Sequence, residues 1–184
     1  MQTISSMQRN SCDKYALKNL VFWVFLIFYE ILTSIYTSLP PFIGLFFAYA
    51  VILKYEKDKN YEDFTSKWYQ TIIFLFFAEQ LHGFELFSIA ISFCVFYYFI
   101  FKLSFEGFKL RNIFLTFLVF YGYISTFLVS NLISYFNSNQ VLNLTYEYLM
   151  YAVFESAVCV LLFKDRIIWD LNLAFYLLFY FGLC

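Results

Sequence analysis

The segment FFAEQLHGFELFS, residues 76–88, gathers the side chains in this chain that are best suited to chemistry. Glu79 and His82 stand three residues apart, with Gly83 and Glu85 beside them, and His82 is the only histidine. The E-x-x-H spacing is typical of carboxylate-bridged di-iron bundles, which need a second such motif on another helix. A helical zinc-protease site needs two histidines four residues apart. Because neither set can be completed with one histidine, the sequence predicts no metal site.

Other catalytic motifs are also missing from the sequence. There is no G-x-S-x-G, no serine lies within five residues of His82, and the four cysteines show no paired spacing. The 5 glycines form no phosphate-binding loop. A net charge of −1 gives no bulk attraction to nucleic acid. We therefore expect no catalytic residue, no cofactor and no nucleic-acid partner, and we do not expect an enzyme.

The composition indicates a protein whose solvent is largely lipid. Hydrophobic residues make up 62% of the 184 residues and charged residues 14%, whereas soluble domains carry about 25% charged residues. Crossing a bilayer takes about 20 mainly apolar residues in a helix. Six apolar segments approach or reach this length, at about 19–36, 41–53, 68–81, 84–103, 113–135 and 149–163.

The basic residues give these segments an orientation. All 12 Lys and Arg residues lie before the first segment, between the second and third, between the fourth and fifth, or after the sixth. Cytoplasmic loops are enriched in Lys and Arg. The sequence therefore predicts an all-α, multi-pass membrane protein: a cytoplasmic segment 1–18, a six-span bundle 19–166 and an apolar tail 167–184. The tail is either an interfacial helix or a short seventh span.

The same topology places Gly83 in a tight outer turn between the third and fourth spans. The second and third spans are shorter than the others. Such segments mark a cavity in some transporters, or they belong to longer helices with polar or aromatic ends.

Two acidic residues are predicted at membrane depth, Glu30 in the first span and Glu155 in the sixth. Carboxyl groups there are costly and face the bundle interior or water. Each is either a partner, proton or substrate contact, or a hydrogen-bonded structural residue.

The fifth span carries small residues at four-residue spacing, and shorter runs recur on other spans. Small side chains on one helix face allow a second helix to approach closely. The face either packs inside this bundle or docks a second membrane protein. Its predicted members are Gly122, Thr126, Ser130 and Ser134 on the fifth span and Ala152 and Ser156 on the sixth.

The order of these features resembles the MreD family, the small membrane subunit of the bacterial rod-shape machinery. A first span is followed by an outer break at Pro40 and Pro41, a short second span and a basic loop. A short third span then ends in an acidic residue and a glycine, Glu79 and Gly83, before the long fourth span. The resemblance covers residues 19–166, and it departs in the long tail and the abundance of Phe and Tyr.

The resemblance implies a non-enzymatic scaffold in the bacterial inner membrane. The implied partners are membrane lipid, the membrane-anchored periplasmic protein MreC and, through it, a wall glycosyltransferase and transpeptidase. The family's bundle is similar to the substrate-binding subunits of energy-coupling-factor vitamin transporters, so small-molecule uptake is the alternative. The bulky first span, VFWVFLIFYE, counts against that alternative. Candidate partner or cavity contacts are Glu79, His82, Gly83, Glu30 and Glu155.

Overall fold

The computed structural model describes residues 20–36, 38–60, 66–101, 110–138, 142–143 and 145–163. These residues form six helices and no strand, so the prediction of an all-helical chain is confirmed for this part. The helices are α1 (Leu20–Ile35), α2 (Ile43–Asn60), α3 (Ser66–Leu81), α4 (Ser88–Ile100), α5 (Arg111–Phe136) and α6 (Tyr146–Leu162). The last part of α4, Phe96–Ile100, is a π-helical turn. The predicted segments 1–18 and 167–184 lie outside the described residues.

Each predicted span corresponds to one helix, with one clear error at a boundary. The second span was expected to end at Leu53 and to be followed by a charged loop, whereas α2 continues to Asn60. This part of the loop prediction was wrong, because KYEKDKN contains no Pro or Gly to end the helix and Lys54 pairs with Asp58 one turn later. The short apolar length of the second span therefore reflects a longer helix with a polar end.

One described helix, α5, is long and apolar enough to cross a membrane by length and composition. Its 26 residues correspond to about 39 Å, compared with about 30 Å of hydrocarbon. The helices α1 and α4 are apolar but shorter. Six spans remain a prediction.

The chain divides after Leu39 into two compact units. The described part of the first unit contains α1. In the second unit α5 is the central helix, and it packs against α2, α4 and α6. α2 also packs against α3 and α6, and α3 packs against α4. All the contacts described below lie within this second unit.

Glycines bring α2 and α5 into close contact. A Cβ atom at Gly44 would lie 2.7 Å from Cγ1 of Val119 and 2.9 Å from its carbonyl oxygen. A Cβ atom at Gly122 would lie 3.1 Å from the Cβ of Phe47. Such distances are shorter than packed carbon atoms tolerate. The two helices therefore approach this closely because both positions lack a side chain.

Large aromatic rings fill the space around this crossing. Phe47 and Phe96 are both fully buried, with ring centroids 6.1 Å apart at a steep angle. The ring of Phe96 also lies 4.8 Å from that of Tyr121 on α5. Edge-to-face and tilted arrangements of this kind are favourable for aromatic pairs. The high phenylalanine content therefore contributes directly to the core that joins α2, α4 and α5.

Candidate functional site

The turn between α3 and α4 is formed by backbone hydrogen bonds around Gly83. Gly83 has φ +73°, and its N–H donates to the carbonyl oxygen of Gln80. The N–H of Phe84 donates to the carbonyl oxygen of Glu79 at 3.0 Å. These two bonds, with a left-handed residue between them, form a Schellman helix end. Glycine suits this position because it adopts positive φ without a Cβ clash.

The side chain of Glu79 turns from the end of α3 to the start of α4. Glu79 is fully buried. Its Oε1 accepts from the N–H of Ile89 at 2.8 Å and from the hydroxyl of Ser88, and its Oε2 accepts from the N–H of Phe87 at 3.3 Å. α4 has no N-terminal capping side chain of its own. Because the first N–H groups of a helix have no partner within it, Glu79 acts as the cap of α4.

Glu155 has an equivalent role at the start of α2. It is fully buried on α6. Its Oε2 accepts from the N–H of Leu45 at 2.9 Å, and its Oε1 accepts from the hydroxyl of Tyr123 on α5. A carboxylate is favoured at the positive end of a helix dipole. One side chain thus connects three helices, α2, α5 and α6.

Both capped helices are entered through a phenylalanine in the left-handed conformation. Phe42 has φ 54° and precedes α2, whereas Phe87 has φ 71° and precedes α4. Positive φ is uncommon for a non-glycine residue and costs about 1–3 kcal/mol. In both places a glutamate from another helix accepts from N–H groups of the helix entry, those of Phe87 and Ile89 for α4 and that of Leu45 for α2. The buried carboxyl groups therefore stabilise two strained helix entries.

The outer turn is also attached to α5. The N–H of Glu85 donates to the hydroxyl oxygen of Ser130 at 2.9 Å, and the hydroxyl of Ser134 donates to Oε1 of Glu85 at 3.1 Å. Asn131 binds both backbone groups of Leu142: it accepts at 2.9 Å and donates at 3.1 Å. A single stretch of α5 thus fixes the turn before α4 and the segment before α6.

The structure places the predicted packing face in the interior. Gly122 meets Phe47 of α2, and Ser130 and Ser134 bind the outer turn. Thr126 is fully buried between them in the same stripe. On α6 the predicted pair Ala152 and Ser156 is buried and flanks Glu155, and the Ser156 hydroxyl donates to the Val153 carbonyl oxygen at 2.8 Å.

The remaining predicted contacts are not gathered into one site. His82 is half-buried at the end of α3, and its backbone N–H donates to Ala78. Glu30 is fully buried on α1. Among the described residues no three His, Cys, Asp or Glu side chains are grouped so that they could hold a metal ion.

Two features of the structure were missed at the sequence level. Tyr123 supplies a hydrogen bond to Glu155, but a tyrosine in an aromatic-rich span carries no distinguishing signal. At the opposite end of the second unit, the Tyr97 hydroxyl donates to Asp58, which also pairs with Lys54 at 2.9 Å. Burial raises the pKa of Asp58, but hydrogen bonds from Tyr97 and Lys54 and the charges of Lys54 and Lys57 outweigh it and lower the pKa below its ordinary value. The Lys54–Asp58 spacing is the one signal that could have predicted the helical extension.

An apolar cleft separates α3 from α4 below their turn. Its volume is about 240 Å³, and its lining includes Trp68, Ile72 and Phe76 of α3 and Ile89 and Phe93 of α4. None of its lining residues is charged.

No protein-family model, curated protein or solved structure matches this chain. The site is therefore interpreted from its own geometry.

Proposed function

We propose that this chain is a non-enzymatic scaffold subunit of the cell-wall elongation complex in a bacterial inner membrane. It would bind a membrane-anchored periplasmic partner of the MreC type and, through that partner, the wall glycosyltransferase and transpeptidase. The observation that carries the proposal is the use of the buried carboxyl groups. Both oxygens of Glu79 accept hydrogen bonds at the start of α4, and Glu155 accepts one from the start of α2 and one from the Tyr123 hydroxyl of α5.

This use of buried acid supports a scaffold over an enzyme. Catalytic and transport sites direct polar groups into a cleft that a substrate can enter. Here the two carboxyl groups are bonded to backbone N–H groups and side-chain hydroxyls of neighbouring helices. Bonded in this way, the carboxyl groups of Glu79 and Glu155 do not point into a substrate cleft. A bundle with fixed helix ends presents a constant surface, which is what a partner subunit requires.

The membrane location is supported by composition and charge. α5 is long and apolar enough to span a membrane. It begins at the basic residue Arg111, whereas the residues around its other end, Phe136, are uncharged. Lys and Arg are absent from positions 112–163 and 68–101. The described basic residues lie toward the other ends of the helices: Lys54, Lys57 and Lys59 at the end of α2, Lys67 at the start of α3 and Arg111 at the start of α5. The positive-inside rule then assigns the turn around Gly83 to the periplasmic side. A multi-pass arrangement with a cytoplasmic N-terminus follows from the same rule.

The alternative function is small-molecule uptake, and the cleft between α3 and α4 is the observation in its favour. Ligand pockets are commonly about 300–1,000 Å³ and contain a few well-placed polar groups. The cleft is smaller than this and its lining carries no charged residue. Such a lining suits a hydrocarbon chain better than a polar vitamin.

Depletion of the protein in its host, combined with purification in mild detergent, tests the proposal. Loss of the chain is expected to produce rounded or swollen cells, and the purified chain is expected to retain an MreC-type protein. Cells of normal shape that acquire a vitamin requirement would instead support uptake. The matched control is a Leu128→Ala chain, which should restore shape fully, because Leu128 is 60% exposed on α5 and does not line the cleft.

Cysteine labelling tests the topology. In a background without native cysteines, a membrane-impermeant reagent should label a cysteine at Ser138 in intact cells. A cysteine at Lys59 should be labelled only after lysis. Both positions are exposed, so access and not burial decides the result. Labelling in the reverse order would refute the proposed orientation.

A further inference from the structure

Three neighbouring segments form one exposed surface at the end of the second unit that contains Gly83. The surface, named here the outer platform, consists of residues 82–87, 135–138 and 145–147. These are the turn between α3 and α4, the end of α5 and the start of α6. None of the functions above assigns these residues a ligand beyond the general expectation of a periplasmic partner.

Side chains of α5 and α6 hold the segments of the outer platform together. Glu85 is bonded to Ser130 and Ser134, so the turn is fixed to α5. The ring of Phe84 lies 6.0 Å from that of Tyr148, which fixes the turn to the first turn of α6. Because these groups are already ordered, a ligand that binds here loses little free energy in ordering them.

Large apolar side chains are exposed on the platform. Leu86 is 48% exposed and Phe87 54%, and Phe136 and Tyr146 exceed 70%. Phe87 is exposed although its backbone has a positive φ. Strained residues that are kept at a surface often belong to binding sites. An exposed apolar patch of this kind is typical of an interaction surface.

The platform is also acidic. It contains Glu85 and the exposed Glu147, and no Lys or Arg lies anywhere in residues 112–163 or 68–101. A ligand with complementary chemistry therefore carries positive charge beside apolar groups. Anionic lipid headgroups are repelled by such a surface, whereas a basic polypeptide segment is attracted to it.

From these observations we infer that the outer platform docks a basic segment of a partner polypeptide, with Lys or Arg flanked by large apolar side chains. The inference rests on the proposed function, because it assumes that this end faces the periplasm and meets a partner protein. Glu147 supplies the charge contact, and Leu86 and Phe136 supply the apolar contact.

Charge-matched peptides in solution test the inference. The full chain is placed in nanodiscs of phosphatidylcholine, and binding is measured by fluorescence anisotropy. The probes are three peptides of equal length and equal Leu and Phe content that carry Lys, Ser or Glu at the same positions. The Lys peptide is expected to bind most tightly and the Glu peptide least, with a change of about threefold to fivefold per charge contact.

Two variants and one control locate the binding surface. Glu147→Lys is expected to abolish the preference for the Lys peptide, because the platform then carries one acidic and one basic residue while its shape is unchanged. Leu86→Ser is expected to weaken binding of all three. Leu128→Ser is the control, since Leu128 is 60% exposed but lies in the middle of α5; it should leave binding unchanged. Circular dichroism confirms that each variant is folded.

Failure of this inference can be separated from failure of the proposed function. Equal binding of the three peptides, a preference for the Lys peptide that Glu147→Lys leaves unchanged, or equal binding to empty nanodiscs would each overturn the inference, the last by showing attachment to the lipid surface. An MreC-type protein that co-purifies equally with the unaltered chain and with Glu147→Lys would leave the proposed function intact and overturn the docking surface. A preference for the Lys peptide that is lost in Glu147→Lys, without any such partner, would support the surface and count against the proposed function.

Discussion

Replacement of Glu155 tests whether a buried glutamate on one helix stabilises the start of another. In the unaltered chain its oxygens accept from the Leu45 N–H at 2.9 Å and from the Tyr123 hydroxyl. Glu155→Leu replaces the glutamate with an apolar side chain of similar volume and leaves the Leu45 N–H and the Tyr123 hydroxyl without this acceptor. Leu45 and Tyr123 are themselves buried, so water does not readily replace the lost acceptor.

The size of the effect follows from these two donors. Leaving one buried donor unsatisfied costs about 1–3 kcal/mol, and hydrogen bonds within membrane bundles lie at the lower end, about 0.6–2 kcal/mol. For two donors we expect Glu155→Leu to lower the free energy of unfolding by about 2–4 kcal/mol. In a chain of this size that corresponds to a decrease in Tm of roughly 4–16 °C.

A conservative replacement separates hydrogen bonding from charge. In Glu155→Gln the amide oxygen can accept from the Leu45 N–H while the amide nitrogen donates to the Tyr123 oxygen. Only the interaction of a charge with the helix dipole is then lost, at about 0.3–2 kcal/mol. The expected order of stability is therefore unaltered chain, Glu155→Gln, Glu155→Leu.

Thermal unfolding in detergent, followed by circular dichroism, measures this order. Glu147→Gln is the matched control, because Glu147 lies in the first turn of the same helix but is exposed; it loses only an exposed charge–dipole interaction of about 0.3–1 kcal/mol, so its Tm should fall by less than that of Glu155→Leu. The reasoning is refuted if Glu155→Leu is as stable as the unaltered chain, or if Glu155→Gln is the less stable of the two.

Three further predictions concern other parts of the second unit. Gly44→Ala should lower the free energy of unfolding by about 1–3 kcal/mol through overpacking. Gly83→Ala should lower it by less, about 1–2 kcal/mol from backbone strain alone, because a Cβ atom at Gly83 meets nothing within 4 Å. Thermal unfolding compares the two variants. Asn131→Ala should raise the hydrogen-exchange rate of the Leu142 N–H, because that group loses its acceptor at 2.9 Å. Asp58→Asn should lower stability by about 0.5 kcal/mol at neutral pH, since Asp58 is exposed to solvent and Lys54 only partly buried. Because the pKa of Asp58 is lowered in the folded chain, its stabilisation is present above the ordinary value of 3.8 and disappears as the pH falls through the folded-state pKa.

Each of these predictions has a contrary result. A larger loss for Gly83→Ala than for Gly44→Ala would contradict the close approach of α2 and α5. Unchanged exchange at Leu142 would show that the segment is held by other contacts. An effect of Asp58→Asn that persists in strong acid would assign its cause to something other than the charge.

The outer turn shows how far local pattern alone can predict structure. A glycine between two apolar segments is sufficient to predict a turn, because glycine is the residue that most readily takes positive φ. The left-handed Gly83 and the end of α3 at Leu81 agree with that reasoning. Phe87 could not be predicted in the same way: its positive φ is maintained by Glu79, Ser88 and the packing of Phe76, and a phenylalanine gives no local signal for it.

The end of α2 illustrates the opposite error. Charge density was taken as evidence for a loop, but Lys, Glu and Asp are ordinary residues on a solvated helix surface. The contact of Asp58 with Tyr97 of α4, which joins residues 39 positions apart, adds to the local Lys54–Asp58 pair. Sequence separation of that order hides the contact from any local pattern.

By itself the sequence predicted which segments form helices, that Glu30 and Glu155 fall within apolar segments, and that Lys and Arg lie only in alternate connections between those segments. These properties follow from composition and from local periodicity, which depend on neighbours along the chain. Only the tertiary structure decided what the glutamates bind. Glu79 reaches an N–H 10 residues away and Glu155 one that is 110 residues away, and such caps form only when the crossing of the helices brings a carboxyl group within about 3 Å of an unpaired N–H. That alignment is a property of packing, and the spacing of residues along one helix does not contain it.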